Sequence, residues 1–232
     1  HADGTDGIGL DCNSPLTEGG SQSFLFSAPA RGVSSGPAGS GMLQTALDAG
    51  PVGGKLKLNE LRMVDGAPLL ITKAVTIEPL PPLAENTPKL RGLLLDGTDL
   101  IIDGVHVNLV DVRFSDSPNA AIELRNGASV SLYASALINA GGSLISAEAD
   151  SEIWLSRSNL ENFRSETGDL ISMSSSGSVR VDRSVLSESR AAGIAMTGGP
   201  RPDGSPSTLV ISTSSLFGNQ GPALKLTGVE AR

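Results

Sequence analysis

The chain has 232 residues and a formal net charge of −8, with charged residues at 18% and aromatics at 3%. Its acidic balance excludes a nucleic-acid backbone or an anionic membrane surface as the natural partner, since both require a basic face. It has no apolar run of the ~18 residues that a membrane span needs, so no membrane insertion is expected.

The first 40 residues are rich in Gly, Ser and Pro and show no sustained period, which reads as an extended or flexible arm. A short strand is expected inside it at Ser23–Ser27 (SFLFS). The chain begins at His1 without a Met, which fits a removed signal peptide or a cleaved tag. The single cysteine, Cys12, cannot close an internal disulfide. It is a free thiol, an intermolecular bridge, or half of a pair whose mate lies elsewhere. Asp11 before it is unlike the small residue of a lipoprotein cleavage site, and no Asn-x-Ser/Thr sequon occurs.

Met42–Ala49 (MLQTALDA) is the one helical stretch, with Leu43, Ala46 and Leu47 on one face and Gly50-Pro51 to stop it. Strand-like GGKLKL, Leu69–Ile71 and AVTIEPL follow, then a Pro-rich loop at Pro79–Pro88. Leu93–Leu95 and Leu100–Ile102 flank a DGTD segment and begin a regular series. The division expected is an arm over 1–40 and one repeat domain over 41–232.

The repeat is apolar–x–apolar–x–x–x–x–apolar. It starts at Val107, Val130, Ile153, Val179 and Leu209, in steps of 23, 23, 26 and 30 residues. A second apolar pair drifts with it: Ile122/Leu124, Ile145/Ala147, Ile171/Met173, Ile194/Met196 and Leu224/Leu226. Two markers moving together describe one supersecondary unit stacked on itself, a solenoid. The alternation has period 2 and each run ends at Gly, Ser, Asn or Asp, so the units are short strands joined by turns. The register predicts columns. Phe114, Leu137, Leu160, Leu186 and Leu216 form a core column, while Val112, Ser135, Ser158, Ser184 and Ser214 form a hydroxyl ladder at a corner. The longer steps place loops within Arg164–Gly168 and Gly198–Ser207. The expected fold is all-β: a right-handed, single-stranded parallel β-helix with a short N-terminal capping helix.

The stretch MLQTALDAGPVGGKLKLNELRMVDGAPLLITKAVTIEPL resembles the opening of right-handed parallel β-helix proteins of the pectate-lyase-like superfamily. There a short helix caps the first coil, and a Gly-rich turn, a strand and an "ITKAVTI" segment follow. The resemblance runs from about Met42 to Gly228. It implies the fold more than a function, because the superfamily includes lyases, hydrolases, epimerases, adhesins, autotransporter passengers and phage spikes. LFGNQGPALKL (Leu216–Leu226), echoed by LINAGGSLISA (Leu137–Ala147), is similar to the loose repeats of outer-membrane passengers.

The local signatures of the enzyme families are missing. Arg201-Pro202 lacks the second Arg of a pectate-lyase segment, and the polygalacturonase and alginate-epimerase motifs are absent. His106 borders a strand and reads as a solvated turn residue rather than an acid or base. DGTD occurs at Asp3–Asp6 and Asp96–Asp99 and reads as a turn, since neither copy supplies the remaining ligands of a calcium loop. No metal site and no cofactor are expected. Stacking the register gathers one outward cluster: Tyr133, Trp154, Arg157, Arg180, Asp182 and Arg183. Arg over an aromatic face is a cation–π pair, and such a patch would bind an acidic glycan or a partner protein. Its catalytic version uses Arg157 or Arg183 as a lyase base, with Asp111 and Asp182 holding calcium.

The motifs together favour a non-catalytic, secreted or cell-surface β-helix (extracellular or periplasmic) acting as a structural, adhesive or assembly subunit. The alternative is a polysaccharide-active enzyme of the same fold, lyase-like or epimerase-like, acting on an acidic glycan. Only TGVEAR follows Leu226, which leaves the last coil without a cap. Other subunits, self-association, further chain, or the SFLFS strand of a neighbour would cover it.

Overall fold

The computed structural model of the chain describes residues 23–26, 38–58, 63–64, 68–79 and 93–232. Cys12, the first DGTD segment and all but Pro79 of the expected Pro-rich loop lie outside the described residues. The alternating runs form strands that stack in parallel, and successive turns of chain visit three sheets in rotation. One sheet has nine strands and the other two have seven each, among the described residues. The result is a parallel β-solenoid of about seven coils. No described helix is long and apolar enough to cross a membrane.

The predicted columns are the observed registers. Val107, Val130, Ile153, Val179 and Leu209 are successive partners in the nine-stranded sheet. Ile122, Ile145, Ile171, Ile194 and Leu224 line a second sheet. Phe114, Leu137, Leu160, Leu186 and Leu216 line the third. Each column is fully buried until the final coil, where Leu216 is only half-buried and Leu224 is 39% exposed. A coil this thin cannot enclose its own apolar row, so burial comes from the coils above and below.

The turn from the nine-stranded sheet into the next is made by a single left-handed residue. Asp111, Ala134, Arg157, Arg183 and Thr213 hold φ between 47° and 52° there. Such a bend takes the following amide out of the strand ladder. The serine column supplies its acceptor: Val112 N donates to Ser135 Oγ (3.2 Å), Ser135 N to Ser158 Oγ (3.3 Å), Ser158 N to Ser184 Oγ (3.1 Å) and Ser184 N to Ser214 Oγ (3.1 Å). The hydroxyls in turn donate to carbonyls two residues back, at Tyr133, Ser156, Asp182 and Ser212. Buried polar groups are thereby paired throughout the corner.

A second left-handed corner runs through Asp116, Asn139, Glu188 and Gly218. The two asparagines of the passenger-like segments, Asn139 and Asn219, therefore take different places. Asn139 sits on the corner, whereas Asn219 turns its Oδ1 to Ser189 N (3.0 Å). The residue that shares the role of Asn219 is Asn162, whose Oδ1 accepts from Ala140 N at 3.2 Å. Close stacking also fixes glycine at positions outside the left-handed turns, Gly141 among them. A Cβ on Gly141 would lie 2.0 Å from the Pro118 carbonyl oxygen.

The helix spans Ala38–Ala49, so it begins inside the stretch expected to be arm. Leu43, Ala46 and Leu47 are buried, as their spacing predicts. Gln44 extends the sheet chemically: its Nε2 donates to Leu70 O and its Oε1 accepts from Leu70 N, both at 2.8 Å. One side-chain amide thus takes the place of the next strand's peptide group. Ser23–Phe26 is a strand, and it pairs in parallel with Gly54–Leu58 at the same N-terminal end of the chain's own nine-stranded sheet. It is therefore engaged within this chain, at the end opposite the last coil that a neighbour's SFLFS strand is one of the candidates to cover. At the other end, TGVEAR is more than a tail, because Val229–Ala231 pairs with Ser207–Leu209 and starts another turn. Both insertions lie where the longer steps place them. Residues 198–207 form a small hairpin closed by a Pro200–Pro206 bridge, and 163–167 carry the exposed Phe163, Arg164, Glu166 and Thr167.

Leu160 touches its column neighbours on both sides, so Leu160→Ala leaves a cavity that neither adjacent coil can fill. The expected loss is about 2–5 kcal/mol in urea unfolding. Val185→Ala, on the same sheet but 37% exposed, is expected to change stability by only about 0.5 kcal/mol. Equal losses at the two positions would contradict the stacked column.

Candidate functional site

The outward residues of the nine-stranded sheet gather the candidate cluster on one face and its adjoining corner. Trp154 and Arg180 are register partners on adjacent strands. Tyr133 and Asp182 share the next outward column, separated by Ser156. Arg157 and Arg183 occupy the left-handed corner one coil apart, and all six residues but the half-buried Asp182 are exposed.

The pairings within the cluster differ from a simple arginine-on-tryptophan stack. The Arg157 guanidinium lies 5.7 Å from the centre of the Tyr133 ring, and its Nη1 donates to Tyr133 Oη at 3.1 Å. Trp154 instead rests against His106, with centroids 5.7 Å apart and planes inclined by 52°. Asp182 accepts from Ser212 Oγ at 2.9 Å and faces Arg183 Nε at 3.6 Å. Arg180 has no hydrogen-bond or ion-pair partner among the described residues.

His106 is not a solvated turn residue. It opens the strand His106–Val110 and is half-buried on the outer face. Its Nδ1 meets Ser129 Oγ at 2.7 Å and its Nε2 meets Asn108 Oδ1 at 3.0 Å. The period-2 pattern carried this signal, since the residue before each repeat start must point outward with Asn108 and its equivalents. Sequence reasoning also missed Glu152 and Arg201. The hairpin of the 30-residue step folds back over the sheet, and Arg201 Nη2 donates to Glu152 Oε1 at 2.7 Å. Nothing in the local sequence links positions 49 residues apart, because a loop's fold-back direction is a tertiary property. At the hairpin tip Asp203 accepts from Ser205 Oγ (2.6 Å) and Ser205 N (2.9 Å), and these bonds hold its carboxyl below the usual range.

A calcium site built on Asp111 and Asp182 does not fit this geometry. Asp111 lies on the corner three coils before Arg183, the residue next to Asp182. At ~4.8 Å per coil that is about 14 Å, beyond what one ion can bridge. The second DGTD segment is a turn: Gly97 has φ 69°, and the Asp99 carboxylate accepts from Asn119 N (3.2 Å) and Asn119 Nδ2 (2.7 Å). Among the described residues no three His, Cys, Asp or Glu side chains converge as a metal cluster.

No known family matches the chain, no curated protein is significantly similar to it in sequence, and no solved structure matches it significantly.

Burial pushes the Asp111 carboxyl above its ordinary value. A raised folded-state value favours the neutral form in the fold. Its contribution to stability is full below the ordinary carboxylate range and is lost as pH rises through the raised value. Asp111→Asn keeps the shape, removes the charge and suits a φ of 52°. Thermal unfolding is expected to show a gain for this variant at pH 7 that shrinks toward about pH 3, where the native aspartate is protonated. A gain of equal size at both pH values would remove burial of the charge as its cause.

Proposed function

We propose that the chain is a non-catalytic structural, adhesive or assembly subunit that works at the cell surface or outside the cell. We place it with the passenger-like members of the pectate-lyase-like superfamily rather than with the enzymes. One observation carries this reading: the charges of the outward cluster are largely engaged with their neighbours. Arg157 is held by Tyr133, Asp182 by Ser212 and Arg183, and Glu152 by Arg201. Acid–base chemistry needs a titratable group poised against a reacting atom in a concave site, and a ladder of mostly matched charges along a sheet face offers a surface instead.

The assembly part of the reading is supported by the last coil. Phe217 is 54% exposed there and Leu224 39%, and the strands Ser215–Phe217, Leu224–Thr227 and Val229–Ala231 lie at the ends of their sheets. A sheet end with apolar side chains is a template for a further strand, from this polypeptide or from another. At the N-terminal end, Gln44 pairs with the backbone of Leu70 and so caps one of the seven-stranded sheets.

Incubation with polygalacturonate and alginate is expected to release neither reducing ends nor unsaturated products. Cleavage that disappears in Arg157→Ala/Arg183→Ala, with circular dichroism unchanged, would establish the enzyme reading in its place. In light scattering the protein is expected to self-associate at micromolar concentration, and Phe217→Asp is expected to shift the mass toward the monomer. A sharp monomer mass for the unaltered chain at the highest soluble concentration would count against assembly through this end.

A further inference from the structure

We infer that the outer face around Trp154 and Arg180 is a binding site for an acidic saccharide, with the sugar ring on the indole and its carboxylate on the guanidinium. The inference deepens the adhesive reading above and names its ligand class. Charge comes first. Four arginines, Arg157, Arg180, Arg183 and Arg201, meet two carboxylates here, Glu152 and Asp182. Both carboxylates are matched, Glu152 by Arg201 at 2.7 Å and Asp182 by Arg183 at 3.6 Å. Asp203, at the tip of the hairpin, is turned to its own Ser205. Arg180 is left uncompensated, on a local surplus of positive charge in a chain whose net charge is −8. Such an island attracts an anion that the rest of the surface repels.

Shape and chemistry then select a saccharide. Trp154 is 46% exposed, so part of the ring is open to solvent, while His106 buttresses it. His106 is itself fixed by Ser129 and Asn108, so the indole is held without the ligand having to order it. Arg180 stands one strand away, about 4.8 Å along the stack, and is not drawn onto the indole. Ser131, Ser156 and Ser178 flank the pair as small hydroxyl-bearing neighbours, alongside Val210 and the two matched carboxylates, Glu152 and Asp182. An aromatic platform, a forked cation and a hydroxyl floor are the donor set that a uronic acid requires.

Trp154 is the only tryptophan, so its emission reports this site alone. Titration with trigalacturonate is expected to give a saturable change in emission, mirrored in calorimetry and weakened by salt. Neutral galactotriose and triglutamate are expected to give none. Arg180→Ala is expected to weaken trigalacturonate binding at least tenfold with thermal unfolding unchanged, because the side chain is exposed and makes no contact that the fold needs. Absence of saturable binding by both methods, equal binding by Arg180→Ala, or an equal response to galactotriose would overturn the inference. An equal response to triglutamate would overturn it in favour of an acidic protein partner. A reducing-end assay on the same samples separates this inference from the functional reading. Binding with cleavage sinks the non-catalytic reading and keeps the site. No binding and no cleavage sinks the site and keeps the subunit.

Discussion

The solenoid depends on how it turns its tightest corner. A single left-handed residue changes the chain's direction between two sheets, and for a residue with a Cβ that conformation is unfavourable. The bend also strands the next amide. Ser135, Ser158, Ser184 and Ser214 resolve the second problem and offset the first, since each hydroxyl accepts from the preceding coil and donates to its own backbone. A net gain of about 1 kcal/mol per hydrogen bond is modest, but an unpaired buried amide at every coil would cost more. Once the corner is satisfied, the strands on either side lie in register and the aliphatic columns close.

The same register organises the outside. Because inward and outward positions alternate along every strand, fixing Val130, Ile153 and Val179 in the core fixes Ser131, Trp154 and Arg180 on the surface. The face is therefore a grid whose spacing is set by backbone hydrogen bonds rather than by side-chain preference. That grid makes ion pairs such as Asp182–Arg183 and aromatic contacts such as Tyr133–Arg157 local events. Arg201 reaches the grid from outside it.

Much of the fold was legible because the chain repeats. A period shared by two apolar markers identifies partners 23 to 30 residues apart without any knowledge of the structure, and Phe114 through Leu216 followed from counting. What counting could not reach lies where the repeat is absent. The helix begins at Ala38, and no apolar period marks its first residues. Val229–Ala231 is too short and too polar to look like a strand and exists because Ser207–Leu209 offers it an edge. At the site, the six cluster residues were found by column. The Glu152–Arg201 latch was hidden in a loop's trajectory, and His106 was misjudged by its boundary position although the alternation already assigned its side.

The serine ladder also gives the molecule a grammatical order. Each corner amide finds its acceptor in the coil that follows, never in the one before. A coil's corner amide is thus satisfied only when its successor has formed, while the successor's next amide donates back to the earlier serine carbonyl, Asn159 N to Ser135 O and Val185 N to Ser158 O, both at 2.9 Å. Damage at Ser184 falls first on the amide of Ser158, one coil upstream, and leaves the serine's own amide with its bond to Ser214. Every hydroxyl of the ladder accepts from its helix-ward neighbour, so the two directions along the axis are not chemically equivalent.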